Sequence, residues 1–388
     1  MVEIVKDDAR GGLEKVVLRS ESVSFALVVR AFGDGAPRGA RLPSFRPSRS
    51  SVRSPQNAHK QGATAEVFLY GSHVVSWKAP DGKVRERERE RERERRRPPS
   101  ARAAPPTCRL NDPPPAQQPT RNEHTPDDKQ DVLFMSDKAI FAPPKAIRGG
   151  IPVCFPQFGQ LGPLGQHGFA RNTTFVVEDE ESSSSSAVTL LLKATGTEDA
   201  RFPHPFELRI RTSLSSCGLV LRQDERVRNT GSQPFRFTAA LHTYFTVPDV
   251  SKLSVEGLEQ TIYSDSLDGG KEKTAASDGS NGAPVAFDRE VDRIYLNAPD
   301  DGTIVARNAV SPGAAVRVRK SGFRDAVVWN PWVEKAKAMA DFGDGEYQGM
   351  LCIEPAVAKS GEAEVAAGEG GEWCGWQELV YEPAGAAP

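Results

Sequence analysis

Two residues of this sequence stand where proton chemistry would need them. In "PFRFTAALHTYF", strand alternation puts Phe235, Phe237, Ala239 and Leu241 on one face and Arg236, Thr238, Ala240, His242 and Tyr244 on the other. His242 therefore looks out from a face that carries polar groups. In "MLCIEPAV" the same period sets Leu351 and Ile353 against Cys352 and Glu354. Glu354 is then a carboxylate flanked by apolar neighbours, and burial there calls for a partner or a shifted pKa. An imidazole and a carboxylate facing one cleft supply a general acid and a general base for moving two protons. Spacing alone leaves the structural readings open. A lone strand histidine is often a hydrogen-bonded core residue, and a buried glutamate often pairs with an arginine.

A third segment, "IRGGIPVCFPQFGQLGPLGQHGFARNTTF", is crowded with Gly and Pro yet holds Phe155, Phe158 and Phe169, the texture of a shaped loop. It sets Arg148, Gln166, His167 and Arg171 beside rigid turns, suited to hydrogen-bonding hydroxyls or pairing with a phosphate. The plainer reading is that these arginines cap turns or pair with acids. "GDGEYQG" lacks the Lys-Ser/Thr of a P-loop and the spacing of a dinucleotide fingerprint.

The elements that must position these residues read as strands. In "FELRIRTSL", Phe206, Leu208, Ile210, Thr212 and Leu214 alternate with Glu207, Arg209, Arg211 and Ser213, the pattern of a half-buried strand. "CGLVLRQDERVRN", "LSVEGL", "DAVVWN" and "QELVYEP" repeat this texture between Gly, Asn and Pro turns, with a helical pattern only near "WVEKAKAMADF". These runs predict an all-β fold, a large antiparallel β-sandwich.

Composition bounds the rest. The 388 residues are 38% hydrophobic, enough to bury a large core. The net charge is -2, and the run "RERERERERERRR" from Arg85 to Arg97 contributes eight Arg and five Glu, or +3, so the remainder sums to about -5. That balance argues against a body-wide nucleic-acid surface. Five scattered cysteines without a CxxC pair fit reduced thiols and no metal site. No apolar run is long enough to span a membrane, and the N-terminus carries acids early, so a cytoplasmic protein is expected.

Taken together, "IRGGIPVCFPQFG", "QHGFARN", "ALHTYF", "EVDRIYL" and "VVWNPWVEKAKAMADFGDGEYQGMLCIEPA" resemble the glucose-6-phosphate 1-epimerase family, relatives of the galactose mutarotase-like aldose 1-epimerases. The likeness runs from about Asp131 to the C-terminus and includes "GLEKVVLRSE" and "GATAEVFLYGSHVVSWK". It implies a single mutarotase-like supersandwich over 1–388, without metal or cofactor, acting on hexose 6-phosphates; a monomer is expected, though the sequence does not fix the oligomeric state. The likeness further implies His242 as general acid and Glu354 as general base. Arg148, Gln166, Arg171 and Asp292 would then contact substrate, and His167 a hydroxyl.

Two stretches depart from that pattern, at about 22–60 and 84–130, and read as low-complexity insertions. Strict Arg-Glu alternation is what a GA dinucleotide repeat encodes, which points to retained intron or mispredicted coding sequence. Alternating opposite charges also weaken attraction for phosphate backbones, against an RNA-associated role. A further departure is Pro355, which follows the candidate base where many relatives carry a small residue, and it predicts a local shift of the backbone. The alternatives to a hexose-6-phosphate epimerase are an aldose 1-epimerase on free sugars and a non-catalytic carbohydrate-binding sandwich.

Overall fold

The computed structural model describes residues 4–20, 62–80, 131–178, 185–274, 277–279, 282–368 and 370–385. The insertions expected at about 22–60 and 84–130 lie outside them. Two large sheets carry the fold, and their named strands all pair antiparallel. The nine-stranded sheet is centred on Ala315–Ser321, Glu372–Glu382, Val220–Asn229 and Phe206–Leu214. The eight-stranded sheet runs Lys271–Lys273, Tyr263–Asp265, Val291–Tyr295, Asp325–Asn330, Met350–Val357, Ala239–Leu241, Val153–Cys154, and Tyr244–Thr246 also pairs with Met350–Val357. The expected antiparallel sandwich is what forms.

Alternation decides what each face buries. Leu208, Ile210, Leu221, Val318 and Leu379 of the larger sheet pack in one cluster with Leu241, Phe245, Val328, Leu351 and Ile353 of the other. Those side chains are the filling of the sandwich. The opposite face of the eight-stranded sheet carries a second cluster, including Ala240, Tyr244, Val327, Trp329 and Cys352. Ala336 of the one α-helix among the described residues, Trp332–Ala338, and Phe342 just beyond it cover part of that face. No helix among the described residues is long and apolar enough to cross a membrane.

One expected strand is divided. "PFRFTAALHTYFTV" forms three short strands, Phe235–Phe237, Ala239–Leu241 and Tyr244–Thr246. The first turns away to pair with Ala363–Val365, while the other two pair with Met350–Val357. The second break faces Pro355. Ile353 donates its N–H to the Thr243 carbonyl, so the next residue of the same parity, Pro355, would donate to Leu241 if it had an N–H. Instead the Leu241 carbonyl accepts from the Thr243 N–H at 2.9 Å and from the Thr243 hydroxyl at 3.3 Å. Pro355 itself stays in register with Ala326. The shift expected beside Glu354 therefore falls on the neighbouring strand, at His242.

A smaller four-stranded sheet of Ile4–Asp7, Leu13–Arg19, Thr64–Phe68 and His73–Lys78 closes the N-terminal side. The flanks of both insertions already meet. Ser20 donates to the Ala63 carbonyl at 3.0 Å, and Lys78 bridges Asp131, whose carboxylate accepts from the Trp77 N–H at 2.8 Å.

Candidate active site

The registers on either side of the strand break share one alignment. Ala240 lies opposite Ala356 and Tyr244 opposite Cys352, so continuing either register sets His242 opposite Glu354. Across a non-hydrogen-bonded antiparallel pair the side chains stand close. His242 Nδ1 lies 3.1 Å from Glu354 Oε1. The contact is close but off the line of a hydrogen bond, and His242 Nδ1 and Glu354 Oε2 are buried with no hydrogen-bond partner. His242 is 8% exposed and Glu354 1%. The imidazole stacks on the Tyr244 ring, centroids 4.7 Å apart and 8° between planes, with Trp329 edge-on at 5.9 Å. Its backbone N–H is anchored to the Pro152 carbonyl at 3.0 Å.

Burial sets the charge of this pair. It pushes the Glu354 carboxyl well above its usual range, and the Asp292 carboxylate adds to the effect. Burial also holds His242 well below its ordinary value, helped by His167 and the Arg148 and Arg171 guanidiniums. Burial thus favours the uncharged pair, a protonated carboxyl beside a neutral imidazole that keeps a single N–H.

Arg148 comes from a turn that only glycines can follow. Gly149 and Gly150 take φ of 109° and 60°, and a Cβ on Gly150 would meet the His73 ring at 2.8 Å. The buried His73 donates from Nε2 to the Gly149 carbonyl at 2.7 Å, since burial depresses its pKa to about 4 and keeps it neutral. Arg148 is then directed at the site face. Its guanidinium donates to the Tyr244 hydroxyl at 3.1 Å and to both oxygens of Asp341, at 3.3 and 3.2 Å. The tyrosine beneath His242 is thereby fixed through a charged hydrogen bond.

His167 also reaches the site, its ring 5.4 Å from that of His242 and edge-on to it. Burial, then Arg171 and Arg148, depress its pKa to about 3, so it is neutral. Its Nδ1 accepts from the Gly159 N–H at 3.2 Å, which leaves Nε2–H as a donor. Arg171 donates to the Gln166 carbonyl at 2.8 Å, and its Nε is buried without a partner. Asp292 sits on the same sheet face, opposite Trp329, which in turn lies opposite Cys352. Gln166 differs from the rest. It is exposed, and the contact it makes with Arg171 is through its backbone.

Several residues of the site were not singled out by spacing. Alternation puts Tyr244 and Cys352 on the correct face without giving them a part, and Trp329 is read only as one residue of the strand "DAVVWN". Asp341 follows the helix in a stretch with no period to read. Behind the site, between the sheets, Thr243 and Gln377 hydrogen-bond at 3.1 Å, and Gln377 donates to Gln223 at 2.9 Å. All three are fully buried. The nine-stranded sheet thus holds the residue that makes the strand break beside His242. A cavity of about 730 Å³ lined by Tyr263, Lys273, Asp278 and Arg293 touches this constellation only through Asp292. Of metal-ligating groups, His242, Cys352 and Glu354 present ligand atoms within 4.8 Å of one another.

A sandwich with an imidazole and a carboxylate opposed on one sheet face, and arginines and a second imidazole around them, is the frame of a sugar-ring isomerase. The profile of the family described as aldose 1-epimerase matches residues 122–375, and the chain belongs to that family. A protein of Cenchrus ciliaris named "Putative glucose-6-phosphate 1-epimerase" is 36% identical over 357 residues, 89% of this chain and 90% of the relative. A protein of the same name from Escherichia coli K12 is 32% identical over 60% of this chain and 75% of the relative. In fold, the chain is similar to a crystal structure from Salmonella typhimurium described as a "putative mutarotase". That match has a TM-score of 0.60 at 23% identity, over 82% of this chain and 87% of that one.

Proposed function

We propose that the site interconverts the α and β anomers of hexose 6-phosphates, glucose 6-phosphate first among them, by opening and reclosing the sugar ring. The observation that carries this reading is the His242–Glu354 pair, opposed at 3.1 Å and buried. In the reacting state, with the proton of the Glu354 carboxyl shifted to His242, the Glu354 carboxylate takes the proton of the anomeric hydroxyl while the imidazolium protonates the ring oxygen. The bond from C1 to the ring oxygen breaks and the aldehyde forms. Rotation about C1–C2 presents its other face, and the reverse transfers close the ring. Ring opening leaves Glu354 protonated and His242 neutral, the state that burial favours in the free site. His167, with Nε2–H free to donate, serves as a hydroxyl contact, and Asp292 as a second one.

Of the two arginines, Arg171 is assigned to the phosphate. Arg148 is already paired with Asp341 at 3.2 Å, whereas Arg171 has no carboxylate partner among the described residues. A charged hydrogen bond of this kind contributes about 1.5–3 kcal/mol, so Arg171→Met raises KM for glucose 6-phosphate by about tenfold or more. Turnover of free glucose is expected to be unmoved by the same change. Four cysteines unpaired among the described residues, Cys154, Cys217, Cys352 and Cys374, support a reducing, cytoplasmic setting.

Magnetisation-exchange NMR between the anomers of glucose 6-phosphate, run beside glucose, tests the whole reading. Exchange accelerated for the phosphate and lost in His242→Ala and Glu354→Gln is the expected result. Equal acceleration of both sugars would make the protein an epimerase of free aldoses. No acceleration by folded protein would leave a carbohydrate-binding sandwich.

A further inference from the structure

We infer that His242, Glu354 and Cys352 form an inhibitory site for a thiophilic divalent cation, zinc being the type. Cys352 and Glu354 are two residues apart on one strand and so share a face, and the register brings His242 beside both. The ligand atoms of all three lie within 4.8 Å of one another, and all three residues are buried. Two of those atoms, His242 Nδ1 and Glu354 Oε2, have no hydrogen-bond partner, so lone pairs are free for a cation without breaking an existing bond.

The donor set selects the metal. One sulfur, one imidazole nitrogen and one carboxylate oxygen, with a fourth position open, is the pattern of a zinc site with bonds of about 2.0–2.3 Å. Tetrahedral bonds of that length put donors roughly 3.5 Å apart, so side-chain movements of about 1 Å close the site. Magnesium and calcium prefer oxygen-only shells and are not expected to compete. Charge also matches. Binding releases one proton from the thiol and one from the carboxyl to solvent, and the resulting two negative charges balance the cation. Asp292 adds negative charge nearby, and the Arg148 guanidinium is offset by Asp341. A cation held there occupies the lone pair and the carboxylate that proton transfer uses, so it blocks turnover. This inference goes beyond the epimerase reading, and the metal site can be tested without it.

The test is a titration of the full chain with cobalt(II) as a coloured stand-in for zinc. Wild-type protein is expected to develop thiolate-to-cobalt charge-transfer absorption with tetrahedral visible bands, which zinc bleaches and magnesium does not. Cys352→Ser and Cys352→Ala, checked for native circular dichroism, should lose the charge-transfer band. Cys217→Ser and Cys374→Ser, at the two exposed cysteines, should keep it. In the exchange assay, stoichiometric zinc should silence wild type, chelator should restore it, and Cys352→Ser should need about tenfold more zinc or beyond. Absence of the band in wild type, or its survival in both Cys352 variants, overturns the site. A wild type that binds cobalt as described but accelerates no sugar exchange would instead remove the epimerase reading and leave the metal site standing.

Discussion

Glu225 and Glu354 are the two buried glutamates among the described residues, each 1% exposed, and they sit on different sheets of the same sandwich. Glu225 points into the layer between the sheets, near Cys154, and neither of its oxygens has a hydrogen-bond partner. Burial alone lifts its carboxyl to about 8. Glu354 is lifted by burial too, but it faces an imidazole, has a second carboxylate in range and stands on the face away from the main core. A perturbed carboxyl is therefore not in itself a site. What separates the two is an opposed imidazole, 3.1 Å from Glu354 and absent from Glu225.

That contrast can be broken at several points. The largest effect is expected from Glu354→Gln and His242→Ala, each lowering the rate of anomer exchange by about 10²- to 10⁴-fold, the range for one positioned proton transfer. Glu225→Gln should leave the exchange rate as it is. If both glutamine variants lose activity alike, the distinction drawn above is wrong.

Stability offers a second test of Glu225, with Glu354, raised by burial too, adding a loss in the same direction as pH rises. A carboxyl at about 8 in the folded state and near 4.5 when unfolded binds its proton more tightly when folded. Its contribution is present in full below the unfolded value and lost as pH rises through the folded one. Thermal unfolding between pH 5 and 9 should show wild type losing on the order of 3–5 kcal/mol from this group, and Glu225→Gln flattening that slope. An unchanged slope would mean Glu225 is not the group responsible.

A smaller effect tests the support behind His242. Gln377→Met leaves the Thr243 hydroxyl without its long-range partner, at a cost of about 1–3 kcal/mol in stability. By loosening the strand break it should lower kcat by about tenfold, with KM unchanged. Equal changes in kcat and KM, or a loss of stability alone, would reduce Gln377 to a core residue. Thr212→Val, a change to a neighbour 3.5 Å from Gln223 in the same polar layer, should affect stability only. Deleting residues 84–130 is the weakest perturbation, expected to leave the exchange rate unchanged because its flanks meet at Lys78 and Asp131.

Much of this arrangement was legible in the sequence. Period-two alternation gave the strand Phe206–Leu214 its bounds, and it put His242 and Tyr244, Cys352 and Glu354 on the face where they lie. What alternation cannot supply is register between strands distant in the chain. His242 and Glu354 are 112 residues apart, and nothing local says that they oppose each other. The break that presents His242 is caused by a proline on the partner strand, so its signal stands beside Glu354 instead. Asp341 and Gln377 were unreadable for a similar reason: each acts through a contact whose other half is remote. Gln166 shows the reverse limit, a motif residue whose side chain lies exposed while its carbonyl makes the contact.

The corner where the two insertions leave the sandwich has a practical consequence. Ser20, Ala63 and Pro80 all crowd around Gly218, at the turn before the strand Val220–Asn229, and Trp77 ties that turn down with a 3.2 Å hydrogen bond to its carbonyl. His73, which steadies the arginine turn of the site, lies at the opposite end of the same short strand as Lys78, roughly 16 Å away at about 3.3 Å per residue. The described residues that flank 21–61 and 81–130 pair with one another. A fluorescent domain or an affinity handle spliced between residues 80 and 131 would join the fold where Lys78 and Asp131 already meet, about one strand's length from His73.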